Sequence, residues 1–306
     1  MKKSAFIILG LAASFAFTGC KTSPNASGAD STIDSTAADS SATETAALDT
    51  MAVDSVVYRA HRDSTVSCII RVDYPKTNDS LALGVKTMIA NTLAQTYLPV
   101  NNDPDGKKSY PTYKGSKLNP QRMIDHYGTG TLRYLLAEKA EATADRGEEA
   151  SDPVYVSMEM NVSKGKEQER YVDYQVSQST YLGGAHGSFT SFGITVSKLT
   201  NKALTSVIDK KYTKALQPLL RKGARQYFKE MGEPVTDAKL NEQLILPDDG
   251  LIPLPAFTPY LDANGVNFIY QQYEIACYAV GLVSFTIPYK DIEKYLTPEA
   301  KALIAE

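Results

Sequence analysis

The sequence predicts an α+β fold, two mixed domains whose mostly antiparallel sheets are packed by helices. Three observations lead there. Stretches of strict apolar alternation fall at 65–74, 154–162, 170–182 and 192–196, stripes of helical period fall at 79–98, 119–136 and 209–231, and the two kinds come in clusters with no βαβ rhythm. The reading divides the chain into a leader at 1–19, a tether at 20–54, a first domain at 55–197 and a second at 198–306.

The N-terminus reads as an export signal. Lys2 and Lys3 precede an apolar stretch from Ala5 to Phe17 that is too short to span a bilayer, and it ends at Phe17-Thr18-Gly19-Cys20. That ending resembles a lipobox, in which small residues admit the signal peptidase and the Cys20 thiol carries the lipid. Acyl chains such as palmitate contribute about 0.8 kcal/mol per buried methylene, so a multiply acylated cysteine anchors a domain without a transmembrane helix. The expectation is a lipoprotein of the inner or outer membrane, folded outside the cytoplasm. Loss of Lys2 and Lys3 takes the formal charge from −3 to −5, which argues against nucleic acid as a partner.

From Lys21 to about Asp54 the chain is Ser, Thr, Ala and Asp, too poor in large apolar residues to bury a core, and is expected to be a disordered tether. The first strand is expected at Thr65 to Tyr74, closed by Pro75. A helix follows over Asp79 to Leu98, with cap candidates Asn78 to Ser80 and Pro99 as its stop. After a polar loop from Asn101 to Lys117, Asn119-Pro120 opens a second helix that Gly128 and Gly130 weaken.

Strands at Val154 to Val162 and Arg170 to Leu182 come next, the latter forming a hairpin with the strand through Phe192, Ile194 and Val196 across Gly183-Gly184-Ala185-His186-Gly187. A helical stretch covers Asp209 to Met231, where Pro218 either kinks it or starts its second half. Asn264-Gly265 is the strongest hairpin signal, between Ala256 to Leu261 and Val266 to Tyr270. Strands at Glu274 to Tyr278 and Leu282 to Ile287 and short helices at Asp291 to Leu296 and Pro298 to Ile304 complete the reading.

The sequence holds none of the phosphate-loop, dinucleotide, zinc-protease or nucleophile-elbow motifs. Its three histidines, His61, His126 and His186, lie far apart, so no metal or cofactor is expected and no catalytic residue is assigned. Cys68 and Cys277 both sit in apolar runs and read as small buried hydrophobes rather than a bridge. His186, flanked by glycines, reads first as part of a tight turn and second as a ligand contact. Tyrosine is abundant, at 19, and several in the C-terminal half could line a glycan or protein contact surface or simply pack in the core.

Two stretches carry a family resemblance. Tyr181-Leu182-Gly183-Gly184-Ala185-His186-Gly187 resembles the G-G-A-H signature of the PdaC-type domain found ahead of a peptidoglycan deacetylase domain. Tyr273 to Gly281 and Phe285-Thr286-Ile287-Pro288-Tyr289 resemble the closing motif of the RsiV-like domain, which usually follows it. The resemblance implies an extracytoplasmic two-domain module. In one anti-sigma factor of this kind the module binds lysozyme. The chain shows neither a sigma-binding segment nor deacetylase ligands, and Cys277 stands where the family often has Pro.

The function expected on these grounds is a lipid-anchored, non-catalytic envelope binding protein. Its ligand would be a protein such as a lysozyme-like enzyme, or peptidoglycan, met by His186, Tyr181 and Tyr273. The alternative is a cell-wall-acting hydrolase, or a factor accessory to one, using His186 with a carboxylate such as Asp173.

Overall fold

The computed structural model describes residues 51–101, 110–146, 152–232 and 236–305, which belong to one compact unit. The leader, Cys20, nearly all of the tether and most of the loop after Asn101 lie outside the described residues. Of the described helices, none is long and apolar enough to cross a membrane.

The α+β class holds. A six-stranded mixed sheet runs in chain order through β1 (Val53–Arg62), β2 (Val66–Pro75), β3 (Val156–Glu167), β4 (Tyr171–Tyr181), β5 (Ser188–Ser197) and β6 (Lys202–Ala203). All neighbours are antiparallel except β2 and β3, whose parallel pairing requires the long helical crossover between them. A second, antiparallel sheet holds β7 (Tyr260–Asp262), β8 (Gly265–Tyr270) and β9 (Val283–Ile287).

One face of the large sheet makes the first core. Cys68, Ile70 and Val72 of β2, Met158 and Met160 of β3, and Val172, Tyr174 and Val176 of β4 pack with residues of α1 (Ser80–Gln95) and α3 (Pro120–Arg146). Asp79 caps α1 by accepting the Ala82 N–H at 2.9 Å, and Asn119 caps α3 by accepting that of Arg122 at 3.1 Å. Pro99 is not a stop: it sits second in a separate short helix, α2 (Leu98–Asn101), the position where a proline costs no helical hydrogen bond. Gly128 does not interrupt α3 but faces the Tyr58 ring of β1, where any Cβ would overlap it.

β1 is absent from the sequence reading, and the tether ends earlier than expected. Val56, Val57, Tyr58 and Ala60 are only half-buried, and the run Val56-Val57-Tyr58 breaks the alternation at an edge, so the apolar signal is weak. Met51 and Ala52 are already fixed. The Met51 N–H donates to Glu167 Oε2 at 2.6 Å, its carbonyl accepts from Lys164 Nζ at 2.8 Å, and the Lys76 N–H donates to the Ala52 carbonyl at 3.0 Å. Glu167 also pairs with Lys164 and Lys198 at 2.8 and 2.7 Å. Burial works to raise its carboxyl, but the bonds from Lys164, Lys198 and Met51 outweigh it and hold the group below the usual glutamate range.

The second core gathers Leu220, Ala224 and Phe228 of α4 (Gln217–Glu230), Val266, Phe268 and Tyr270 of β8, and Ala300 and Leu303 of α7 (Pro298–Ile304). The expected helix from Asp209 is split: a 3₁₀ turn at Lys210–Tyr212 precedes α4, and Pro218 stands in the first turn of α4. Between α4 and β7 lies α5 (Asp237–Gln243), capped by Thr236 and missed from sequence. Glu274 to Tyr278 is not a strand. Only Ala276 bridges, to Leu244, and Tyr278–Val280 forms a 3₁₀ turn. Ala256 to Pro259 lies outside β7, while Asp262 pairs with Gly265 across the expected hairpin turn. The expected C-terminal helix at 291–296 starts earlier, as α6 (Tyr289–Ile292) followed by a 3₁₀ turn.

The β4–β5 hairpin serves both cores. Val172, Tyr174, Val176, Phe192 and Val196 point into the first, while Tyr171 belongs to the second. Thr195 Oγ1 accepts the Leu261 N–H of β7 at 2.8 Å, and the Tyr260 ring lies on Gly193. We predict that a chain starting at Ser55 melts several degrees below one starting at Ala46, because it loses the Met51 and Ala52 bonds and leaves Glu167 with a missing donor. Equal melting temperatures would show that these bonds are not needed.

Candidate functional site: an open sheet face with an aromatic rim

The face of the large sheet opposite the first core is covered by the second sheet only near Tyr171, Asp173, Gly193 and Thr195. Farther along the same strands it is open and polar. Strand register sets Arg71, Asn161, Ser177 and Ser191 in one row across β2 to β5, and Ile69, Glu159, Ser179 and Phe189 in the next. Arg71 bonds both Glu159 and Asn161 across the strands, and Phe189 is 43% exposed.

One margin of this face is built by the second half of the chain. The Gln271 side chain accepts the Ser191 N–H at 3.1 Å and donates to the Ser191 carbonyl at 2.8 Å, and Gln272 accepts the Phe189 N–H at 3.0 Å. These amides stand in for a neighbouring strand where β5 has none, which covers an otherwise adhesive edge. Glu274 then fixes the turn, accepting the Gln271 and Ala256 N–H groups at 2.7 and 2.6 Å.

Within that turn Tyr273 has φ +66 and is 59% exposed. A bulky residue in the left-handed region costs on the order of 1 kcal/mol or more. Its ring lies 5.7 Å from that of Tyr278, which lies 4.0 Å from the His186 imidazole, so three aromatic rings form a ladder at the margin. The Tyr278 hydroxyl donates to the Gly187 carbonyl at 2.7 Å, tying the ladder to the β4–β5 loop. Tyr181 holds that loop from its other side, donating to the Gly184 carbonyl at 2.9 Å. The three residues singled out in the sequence, His186, Tyr181 and Tyr273, therefore lie on or beside the two segments that meet here. Tyr278 stands in the sequence only as one of several tyrosines that could line a contact surface, and nothing there marks Gln271 and Gln272; the parts of all three depend on the meeting of segments 80 or more residues apart.

Two expectations are corrected. Asp173 cannot partner His186. It lies seven residues along β4 from Thr180, where the loop begins, about 23 Å at 3.3 Å per residue. Asp173 is instead buried, with Oδ1 lacking a hydrogen bond, and burial followed by the nearby Asp262 charge raises its carboxyl to about 6. Cys277 is exposed rather than buried, because the segment around it turns instead of running as a strand, while Cys68 is buried as expected. Of the loop glycines, only Gly183 has positive φ, at +85. His61 and His126 are apart from this margin in sequence and bonding, His126 Nε2 lying 2.7 Å from the Pro111 carbonyl. Among the described residues there is no group of His, Cys, Asp and Glu that could hold a metal.

Comparison with known proteins gives the fold company. Residues 205–290 match the family described as Protein of unknown function (DUF3298). A solved DUF3298 family member from Bacteroides fragilis aligns with TM-score 0.55 and 19% identity over 81% of this chain and 93% of its own. A DUF3298 family protein from Pseudomonas aeruginosa aligns with TM-score 0.50 and 13% identity over 81% and 94%. No curated protein matches the chain.

We predict that Gly183→Val costs about 1–3 kcal/mol, since it combines positive φ with a contact to Val154. Gly184→Val, with nothing near its Cβ position, should cost under about 0.5 kcal/mol. Denaturant unfolding of the two variants checks the contrast, and equal losses would contradict it.

Proposed function

We propose that the chain is a lipid-anchored, non-catalytic binding protein of the cell envelope, tethered through Cys20, whose open sheet face and aromatic rim capture a macromolecule. The observation that carries this is Tyr273: a large ring kept in solvent by a strained backbone, at the edge of a broad polar surface, serves contact better than stability. The surface is wide and shallow rather than a closed pocket, which suits a protein such as a lysozyme-like enzyme, or a stretch of cell-wall glycan. The segment matched to DUF3298 contains both stretches that resemble the RsiV-like domain, and the Gly183 to Gly187 loop resembles the end of a PdaC-type domain, so the two resemblances converge on one margin. A hydrolytic reading finds no support in the geometry, because His186 and Asp173 lie at opposite ends of β4 and β5.

The test is retention of lysozyme and of purified peptidoglycan by the immobilised chain. We expect one of them to be retained, and Tyr273→Gly to weaken that retention about tenfold while the melting temperature holds or rises through relief of the positive φ. Failure to retain either probe, or undiminished retention by Tyr273→Gly, would sink the proposal. Cys20→Ser should in addition yield a soluble or uncleaved precursor, and a variant that is cleaved yet still firmly membrane-bound would count against the lipid anchor.

A further inference from the structure

The two edges of the large sheet are managed differently. At the β5 side, Gln271 and Gln272 occupy the backbone of Phe189 and Ser191, and β6 pairs with Val196 and Ser197. β1 forms the other edge over its whole length of 10 residues, with no strand beyond it. The Lys76 N–H donates to the Ala52 carbonyl directly opposite, so the even-numbered residues of β1 turn their backbone groups toward β2. The odd-numbered ones, Ser55, Val57, Arg59 and His61 among them, turn theirs outward. Two side chains reach that outward row: Gln121 donates to the Val57 carbonyl at 3.3 Å, and Arg62 to that of His61 at 3.1 Å. Both side chains are exposed, so an incoming strand can displace them.

This edge is apolar as well as unpaired. Val53, Val56, Val57, Tyr58 and Ala60 are only half-buried. Proline, lysine and a bulge, which commonly keep an edge from pairing, are absent from β1. The charges on the strand are also complementary to themselves, with Asp54 near one end and Arg62 at the other. In an antiparallel pairing about a two-fold axis at Tyr58, Asp54 faces Arg62 of the second copy, and Val56 faces Ala60. Ser55 and Val57 then lie opposite His61 and Arg59, so outward backbone groups meet outward backbone groups. With the axis at Val57, Asp54 would face Ala60 and no charges would pair. With the axis at Arg59, that cation would face its own copy. In the favoured register Arg62 leaves the His61 carbonyl for Asp54, whose present ion pair, with Lys76 at 2.9 Å, lies in solvent.

We propose that β1 is a dimer interface, pairing antiparallel with β1 of a second copy so that the two large sheets become one. The axis stands perpendicular to the sheet, which sets the two open polar faces side by side and makes any capture by them bivalent. Because the β5 side is closed by side chains and β6, assembly stops at two copies. The dimer stands whether or not the open face captures a ligand.

Sedimentation velocity of the full chain tests it, with reductant present so that the exposed Cys277 links no copies. A reversible monomer–dimer equilibrium is expected, with a dissociation constant of about 10–100 μM because one strand pair is a small interface. Val57→Pro removes an outward N–H that the monomer does not use, and should hold the chain monomeric with little change in melting temperature. Asp54→Arg and Arg62→Asp should each weaken the dimer about tenfold, and the two together should restore it to within about threefold. If Val57→Pro instead lowers the melting temperature, the charge exchange decides alone. Tyr273→Gly should leave the equilibrium unchanged. A chain that stays monomeric up to about 1 mM would overturn the proposal. So would a dimer that a folded Val57→Pro leaves intact, a double variant no tighter than either single one, or species that grow beyond two copies.

Discussion

Thr195 Oγ1 accepts the Leu261 N–H in a fully buried setting, and much of the molecule is arranged so that this one bond can form. It requires a strand buried on both faces, with bulky residues on one side and small or hydroxylated ones on the other. The alternation of β5 supplies that division: Phe192 and Val196 face the first core, while Gly193 and Thr195 face β7. Nearby, the hydroxyls of Tyr171 and Tyr289 both donate to the Asp262 carbonyl, at 2.8 and 2.6 Å, so the neighbouring strand end is closed by hydrogen bonds rather than by apolar packing alone. The arrangement has a cost. Asp173 is enclosed beside this joint, and because its carboxyl is raised to about 6, its penalty grows as pH rises from the ordinary aspartate range toward 6 and is fully present above it.

The covered part of the hairpin fixes what the uncovered part can do. Beyond Gly193 the same face of β5 emerges into solvent, and the chain leaving β8 reaches it there as Gln271, Gln272 and Tyr273. Glu274 locks that turn, and Tyr278 pins it to the hairpin loop. The rim is therefore rigid on the hairpin side and strained at Tyr273, a combination in which conformational strain is borne by the rest of the fold.

Periodicity made the buried elements legible. β2, β3, β4 and β5 each alternate apolar and polar over enough residues to identify their core face, and Asp79 and Asn119 marked two helix starts. The misses share a cause in context. β1 is an edge strand with a broken pattern, and in the apolar run Ile275-Ala276-Cys277 turns bury Ile275 and Ala276 but leave Cys277 exposed, which sequence alone does not distinguish from a strand. At the candidate site, His186, Tyr181 and Tyr273 were visible because they sit in unusual local sequence. Tyr278 was visible only as one of several tyrosines, and the two glutamines are ordinary residues made significant by a partner segment about 80 positions away.

Two cores that share one hairpin should unfold as a single cooperative unit. Calorimetric unfolding of the chain beside Thr195→Val measures this most directly, since the substitution keeps shape but leaves the Leu261 N–H without an acceptor, at a cost of about 1–3 kcal/mol. One transition is expected in both proteins, moved down as a whole by several degrees in the variant. Two separate transitions, with only one of them moved by the substitution, would contradict it.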